Sequence, residues 1–317
     1  MLALCFTASA WAIDPPIPMP AEPTPDILKQ VVIEGPEPQF VAPTRRDRIG
    51  RIWAPVLIDN KGPFRLALDS GASSSGINLA VANALGLPPN QSRQVRLQGV
   101  TGSAAVPTVR VSTFAVGDLE LGRADLPVMS DALGGADGIL GTDRMSGRRI
   151  FIDFQHDLIT ITRSHGERAP AGFMTIPFHI ERGNLLVVDA MIGNIPIKEI
   201  IDTGGQVTIA NLALRHALER RREQLKTLPR DIVDVNSDVQ SGDYATTPPL
   251  RMAALEPRDS VLIHYADVTY GDMSIFEHWH MTSDPAILVA MDALGLVDTL
   301  IIDYRRNELQ IRTRASE

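Results

Sequence analysis

Short apolar runs, broken every few positions by glycine, proline or asparagine, dominate the chain from Arg48 onward. Residues 52–59 and 64–69 read as two strands joined by a turn at 60–63, because Asn60-Lys61-Gly62-Pro63 interrupts the apolar pattern with turn formers. A helix is expected over 79–87, closed by Gly86 and Pro88. Further short strands are expected at 95–98, 108–114, 119–121, 150–154 and 158–161. The same order then recurs. Residues 185–192 and 195–202 repeat the first hairpin around Gly193-Asn194, and 211–225 repeat the helix in a longer form. Residues 287–294 answer 139–145, and 300–311 answer 150–161. Asp69 and Asp202 stand 133 positions apart and Asp153 and Asp303 150 apart, so the second copy carries about 17 more residues in between. Two homologous halves on one chain are expected.

Composition narrows the class. With 317 residues, 44% of them apolar, the chain has room for two domains of ordinary size. Its 24 glycines and 23 prolines favour many turns over long helices, hence an all-β fold. Acidic residues outnumber basic ones, 38 to 30, and the net charge of −8 offers no basic excess for nucleic acid or an anionic membrane surface. The single cysteine, Cys5, can form neither an internal disulfide nor a thiolate zinc site. Residues 1–12, MLALCFTASAWA, are apolar and end in Ala10-Trp11-Ala12, the pattern of a secretory signal peptide. That stretch is too short to span a bilayer. The expectation is an exported protein, periplasmic or secreted, with no stable membrane insertion. Residues 13–47 contain nine prolines and read as an extended arm or linker.

The chemistry lies in a repeated tripeptide. Each copy places D-[ST]-G at the end of its hairpin's second strand: Asp69-Ser70-Gly71 within LALDSGAS, and Asp202-Thr203-Gly204 within EIIDTGGQ. One such tripeptide arises by chance about once per two thousand residues; two at equivalent places in a repeat are far less ordinary. With the later run 136–143, ADGILGTD, these motifs resemble retropepsin-like (clan AA) aspartic proteases in a tandem bacterial form. The resemblance implies two closed β-barrel lobes, 48–166 and 167–317, each with one short helix in a pepsin-like bilobal arrangement. It implies aspartic-type endopeptidase activity on a polypeptide substrate between the lobes, with no metal and no cofactor, and favours a monomer over a two-chain arrangement. Asp69 and Asp202 would be the catalytic pair. Ser70, Gly71, Thr203 and Gly204 would support their loops, and a hairpin at 95–108 would form a flap with Gly99, Val100, Thr101 and Gly102 at its tip. The physics agrees with the motif: two carboxylates about 3 Å apart at an effective dielectric near 20 repel by roughly 5 kcal/mol. Such a pair holds one proton between them, so one member can take a proton from water while the other donates to the scissile carbonyl.

The second copy departs from this pattern. Ala290 stands where the first copy has Gly141, and Gly205-Gln206 follows Gly204 where the family prefers a small residue and then serine. A relaxed second loop is expected, which keeps open the alternative of a catalytically inactive peptide- or protein-binding module on the same fold. Other signals are set aside. Asp234, Asn236 and Asp238 begin with calcium-loop spacing, but Val239 and Ala245 occupy the positions that need glycine and glutamate. His278-Trp279-His280 reads as a structural pair on a strand face rather than a metal site, and Arg220-Arg221-Arg222 as a solvated helix face. Met191, Met252, Met273, Met281 and Met291 read as core filling.

Overall fold

Alternation in the first strand carries into space: Ala54, Val56 and Ile58 are buried while Leu57 faces solvent. β1 (Trp53–Ile58) and β2 (Lys61–Leu68) form an antiparallel hairpin that pairs Ile58 with Lys61. The turn is therefore Asp59-Asn60, both at positive φ (49° and 59°), and the Lys-Gly-Pro that was expected to form it belongs to β2. A two-residue turn of this hand matches the twist of the strands it joins. Asp59 Oδ1 braces it, accepting from Ser112 N at 2.7 Å and Thr113 N at 2.8 Å.

The computed structural model describes residues 52–313 except 117–118, 131–133, 157, 222–224, 234–235, 254–259 and 264–266. The leader at 1–12 with Cys5 and the proline-rich stretch at 13–47 lie outside the described residues. All the described residues belong to one structural unit, Val31–Glu317.

After the first hairpin come β3 (Gly76–Asn78), β4 (Asn90–Gln98), β5 (Ser103–Val111), β6 (Phe114–Val116), β7 (Leu119–Glu120), β8 (Ala124–Met129) and β9 (Gly138–Leu140). The nine strands hydrogen-bond in the order β4-β5-β8-β3-β9-β2-β1-β6-β7. β10 (Arg148–Asp153), β11 (Leu158–Arg163) and β12 (Met174–Pro177) follow. Next are β13 (His179–Glu181), β14 (Leu185–Ile192), β15 (Ile195–Ile201), β16 (Ile209–Ala210), β17 (Leu228–Val233) and β18 (Val239–Thr246). β19 (Leu250–Ala253), β20 (Ser260–Ile263), β21 (Asp267–Tyr270) and β22 (Ala286–Val289) complete the second large sheet, ordered β17-β18-β21-β16-β22-β15-β14-β19-β20 with β13 on β14. Position for position, this is the strand order of the first sheet. β23 (Thr299–Asp303) and β24 (Glu308–Arg312) enter a third, five-stranded sheet, β11-β10-β23-β24-β12. The fold is mostly β. Both large sheets run as open paths among the described residues, because their terminal strands each have one hydrogen-bonded neighbour. The closed barrel implied by the resemblance is therefore not what the ladders form.

Equivalent caps set the helices. Asn78 accepts from Val81 N ahead of α1 (Leu79–Leu85), and Asn211 accepts from Leu214 N ahead of α2 (Leu212–Arg220). α2 has nine residues against seven in α1 but ends at Arg220, short of the expected 225. Two shorter helices, α3 (Ser274–His278) and α4 (Met291–Leu294), flank β22, so 167–317 carries three helices where the resemblance implied one. In the five-stranded sheet, β10 pairs with β23, and Arg149 Nη1 donates to Asp303 Oδ2 at 2.7 Å while Nη2 donates to Gln310 Oε1 at 2.7 Å. Losing either member of this buried pair would strand the other, which makes the network a fixed point for strand register.

One core residue breaks the apolar rule. Glu199 lies on β15 among Ile195, Ile197 and Ile201, is fully buried, and neither carboxyl oxygen has a hydrogen-bond partner. It occupies the sheet position that Leu66 fills in β2. Burial pushes its carboxyl up to about 8 from an ordinary 4.5. The folded protein therefore keeps this proton where the unfolded chain has released it, so the stabilisation is complete below about 4.5 and is lost as pH rises towards 8. The expected slope is about 1.4 kcal/mol per pH unit across that window. Urea unfolding at several pH values should show Glu199→Leu removing this slope, with its gain over the parent growing as pH rises and largest from about pH 8 upward; an unchanged slope would refute the assignment.

Candidate functional site

Asp69 and Asp202 occupy the same place in the two large sheets, one residue beyond β2 and β15. There each backbone N–H still bonds to the parallel neighbouring strand: Asp69 N to Leu140 O at 3.0 Å, Asp202 N to Val289 O at 2.9 Å. Each carboxyl then caps its own turn. Gly71 N donates to Asp69 Oδ1 at 3.0 Å, and Gly204 N and Gly205 N donate to Asp202 Oδ1 at 2.9 Å each. Both aspartates thus face inward on short loops whose direction the β ladders set.

The two loops lock into each other through reciprocal hydroxyls. Ser70 Oγ donates to Ile201 O at 2.7 Å and accepts from Thr203 N at 3.0 Å. Thr203 Oγ1 donates to Leu68 O at 2.9 Å and accepts from Ser70 N at 3.1 Å. All four bonds are buried. The glycines allow the remaining approach. A Cβ on Gly71 would lie 2.8 Å from Asp202 Cγ, and a Cβ on Gly204 would fall on the Asp69 carboxyl. The structure therefore brings Asp69, Ser70, Gly71, Asp202, Thr203 and Gly204 into one junction.

A second layer repeats as well. Ser75 N and Oγ donate to Asp143 Oδ1 at 2.9 Å, and Ser75 Oγ accepts from Gly141 N at 3.0 Å. On the other side Thr208 N and Oγ1 donate to Asp292 at 2.9 and 2.6 Å, and Oγ1 accepts from Ala290 N at 3.1 Å. Burial lifts the Asp292 carboxyl above its ordinary range, against the opposite pull of the Thr208 donors. Of this layer the sequence singled out Gly141 and Asp143, within the run 136–143, and Ala290 opposite; Ser75, Thr208 and Asp292 were given no role.

The two loops differ in where a side chain fits. Beside Gly141 a Cβ would meet Ser74 C at 2.5 Å and Ala72 O at 2.9 Å, so the first loop has no room for one. In the second loop alanine stands at 290, and a Cβ on Gly205 would lie 2.6 Å from Asp202 Oδ2 and 3.1 Å from Ala290 Cβ. The second loop is packed differently, not loosened.

Gly99, Val100, Thr101 and Gly102 form the turn between β4 and β5, closed by Gly99 N donating to Gly102 O at 2.8 Å. The hairpin is longer than expected, running from Asn90 to Val111. Leu97 packs on the apolar cluster of Ala67, Met129 and Ile139 together with Ala72, and Val100 packs on the cluster of Ile200, Leu288 and Ala290. The hairpin thus touches an apolar cluster beside each large sheet. Next to it opens a polar cleft of about 600 Å³, lined by Gln98, Ser103, Arg182, Glu277 and His278 among others. Tyr304, in the place of Phe154, carries a buried hydroxyl with no hydrogen-bond partner. Burial, and after it the charge of Asp69, raises its phenol well above the ordinary range. The histidine pair is not on a strand: His278 ends α3, Trp279 caps it, and His280 has φ 58°. Among the described residues no group of three or more His, Cys, Asp or Glu side chains is placed to hold a metal ion.

Residues 54–144 match the family model described as aspartyl protease. No curated protein sequence matches the chain. Among solved structures, the chain resembles conglutin gamma, a basic 7S globulin from lupine seeds, with 8% identity and a TM-score of 0.50 over 84% of this chain and 93% of that one. Basic 7S globulin from soybean aligns over 84% and 92% with 10% identity and a TM-score of 0.48. The likeness to conglutin gamma is one of fold.

Thr203→Val should leave Ser70 N–H and Leu68 C=O without their partner and destabilise the protein by about 2–4 kcal/mol, while Thr203→Ser recovers most of the loss in chemical denaturation. Gly205→Ala should cost about 1–3 kcal/mol from overpacking. Most of that cost should come from Asp202 Oδ2, 2.6 Å from the new Cβ, so in a double-mutant cycle Ala290→Gly should recover only the smaller part; full recovery would refute this.

Proposed function

We propose that this chain, whose residues 54–144 match the aspartyl protease family model, is an aspartic endopeptidase whose water is activated by Asp69 and Asp202 at the interface of two lobes, one around each large sheet. The observation that carries the reading is the crossed packing of the acids: Gly71 lies against the Asp202 carboxyl and Gly204 against the Asp69 carboxyl. Two acids packed into one junction cannot both carry charge at moderate pH, so the pair shares a proton. The ionised oxygen takes a proton from a bound water as that water attacks the scissile carbonyl carbon. The protonated partner donates to the carbonyl oxygen, and the tetrahedral adduct collapses with proton transfer to the leaving amine. No covalent enzyme intermediate forms. The β4-β5 hairpin would cover the bound segment and exclude bulk water. Equal strand order in the two sheets, equivalent helix caps and the repeated second layer support descent of the lobes from one unit. The same reading has the protein exported and working as a monomer on polypeptide.

A second reading, a peptide- or protein-binding module without activity, is favoured by one finding: a solved structure that shares the fold is described as a seed globulin. Pure protein incubated with unstructured peptides across ~pH 3–7 separates the two. Cleavage is expected, blocked by a statine-type transition-state analogue and lowered at least about a thousandfold by Asp69→Asn or Asp202→Asn with the fold intact. Full activity in either variant would refute the intramolecular pair.

A further inference from the structure

The flap hairpin is fastened at its tip to an element that the first sheet does not have. Residues 271–285, with α3, lie between β21 and β22, whereas the matching interval between β8 and β9 has no helix among its described residues. Val100 O accepts from Ile275 N at 3.2 Å and from Ser274 Oγ at 3.3 Å, and Gln98 Nε2 donates to Ser274 Oγ at 3.1 Å. The Val100 side chain sits on the apolar cluster that includes Met273, Ile275 and Phe276. From the other side, Asn236 Nδ2 reaches Gly102 O at 3.4 Å, and a Cβ on Gly102 would lie 2.8 Å from Asp238 Oδ2. An apolar plug, backbone and side-chain donors to one carbonyl, and a second turn pressing from the far side add up to a clasp.

We propose that the flap is latched shut in the free protein, with Val100 as an internal occupant of an apolar socket on α3 that must be vacated before a peptide can enter. The hairpin bridges the clusters beside both aspartate loops, so while the tip is docked, an extended segment cannot pass over the acids. Entry then requires an opening step that breaks the Ile275–Val100 hydrogen bond, and the strength of the latch sets the association rate. Its peptide arm rests on the reading given above; its exchange arm does not.

The Ile275 amide reports the latch directly. Hydrogen exchange of the full chain should show that amide protected, and Val100→Ser should speed its exchange on the order of tenfold while leaving the global unfolding transition in place. In an Asp202→Asn background, Val100→Ser should raise the association rate of an unstructured peptide on the order of tenfold, and a Gly102→Cys/Asp238→Cys cross-link, made with Cys5→Ser, should suppress binding until reduced. An Ile275 amide that exchanges like an unprotected one overturns the latch, as does faster exchange with an unchanged association rate. If the parent cleaves peptides but association ignores both changes, the latch fails and the protease reading stands. If no peptide binds or is cleaved, the protease reading fails and the exchange of Ile275 decides the latch.

Discussion

Each of two hydroxyls, Ser70 Oγ and Thr203 Oγ1, donates to the last carbonyl of the strand that carries the other aspartate and accepts from the other residue's amide. Everything near the centre follows from that exchange. It makes the two aspartate loops one rigid body, and it can form only if Gly71 and Gly204 allow each backbone to come against the opposite carboxyl. A buried hydroxyl that loses its partner costs about 1–3 kcal/mol, so the four bonds stand or fall nearly together. The five-stranded sheet ties the early and late parts of the chain together as well, with β10 zipped to β23 and Arg149 held between Asp303 and Gln310.

Polar groups placed inside this fold divide into two kinds. Arg149, Asp303, Ser75, Thr208 and Asp292 are satisfied and fix the relation between backbone segments. Glu199 is not satisfied, and its cost depends on the proton it keeps. A chain with such a residue under its second sheet has a stability profile tilted towards acid, the side on which a carboxyl pair sharing one proton is also best populated.

Much of this was readable from residue order, for reasons that can be named. Asp69 and Asp202 stood out because one tripeptide, an acid with a hydroxyl residue and a glycine behind it, recurs at equivalent places of the pattern. The strands were visible because half-buried ladders impose a period of two, as in Ala54, Val56 and Ile58. The same period could have exposed Glu199, which occupies an inward position between Ile197 and Ile201. Other features had no local signal. The Asp59-Asn60 turn competes with the stronger turn chemistry of the residues just after it. The helix ending at His278 is five residues long, too short for a periodic pattern. The seating of Val100 on α3 joins positions some 175 apart, and no spacing rule reaches that far.

The crossed packing of glycine against acid also limits how this chain can change. A side chain at 71 would enter the Asp202 carboxyl and one at 204 the Asp69 carboxyl, so each acid is guarded by a glycine from the other loop. A replacement at either glycine disturbs the acid it faces as well as its own turn, and repairing it needs a second change at the opposite strand end. The two tripeptides are therefore tied to one another, and neither can drift at this junction while the other stays still.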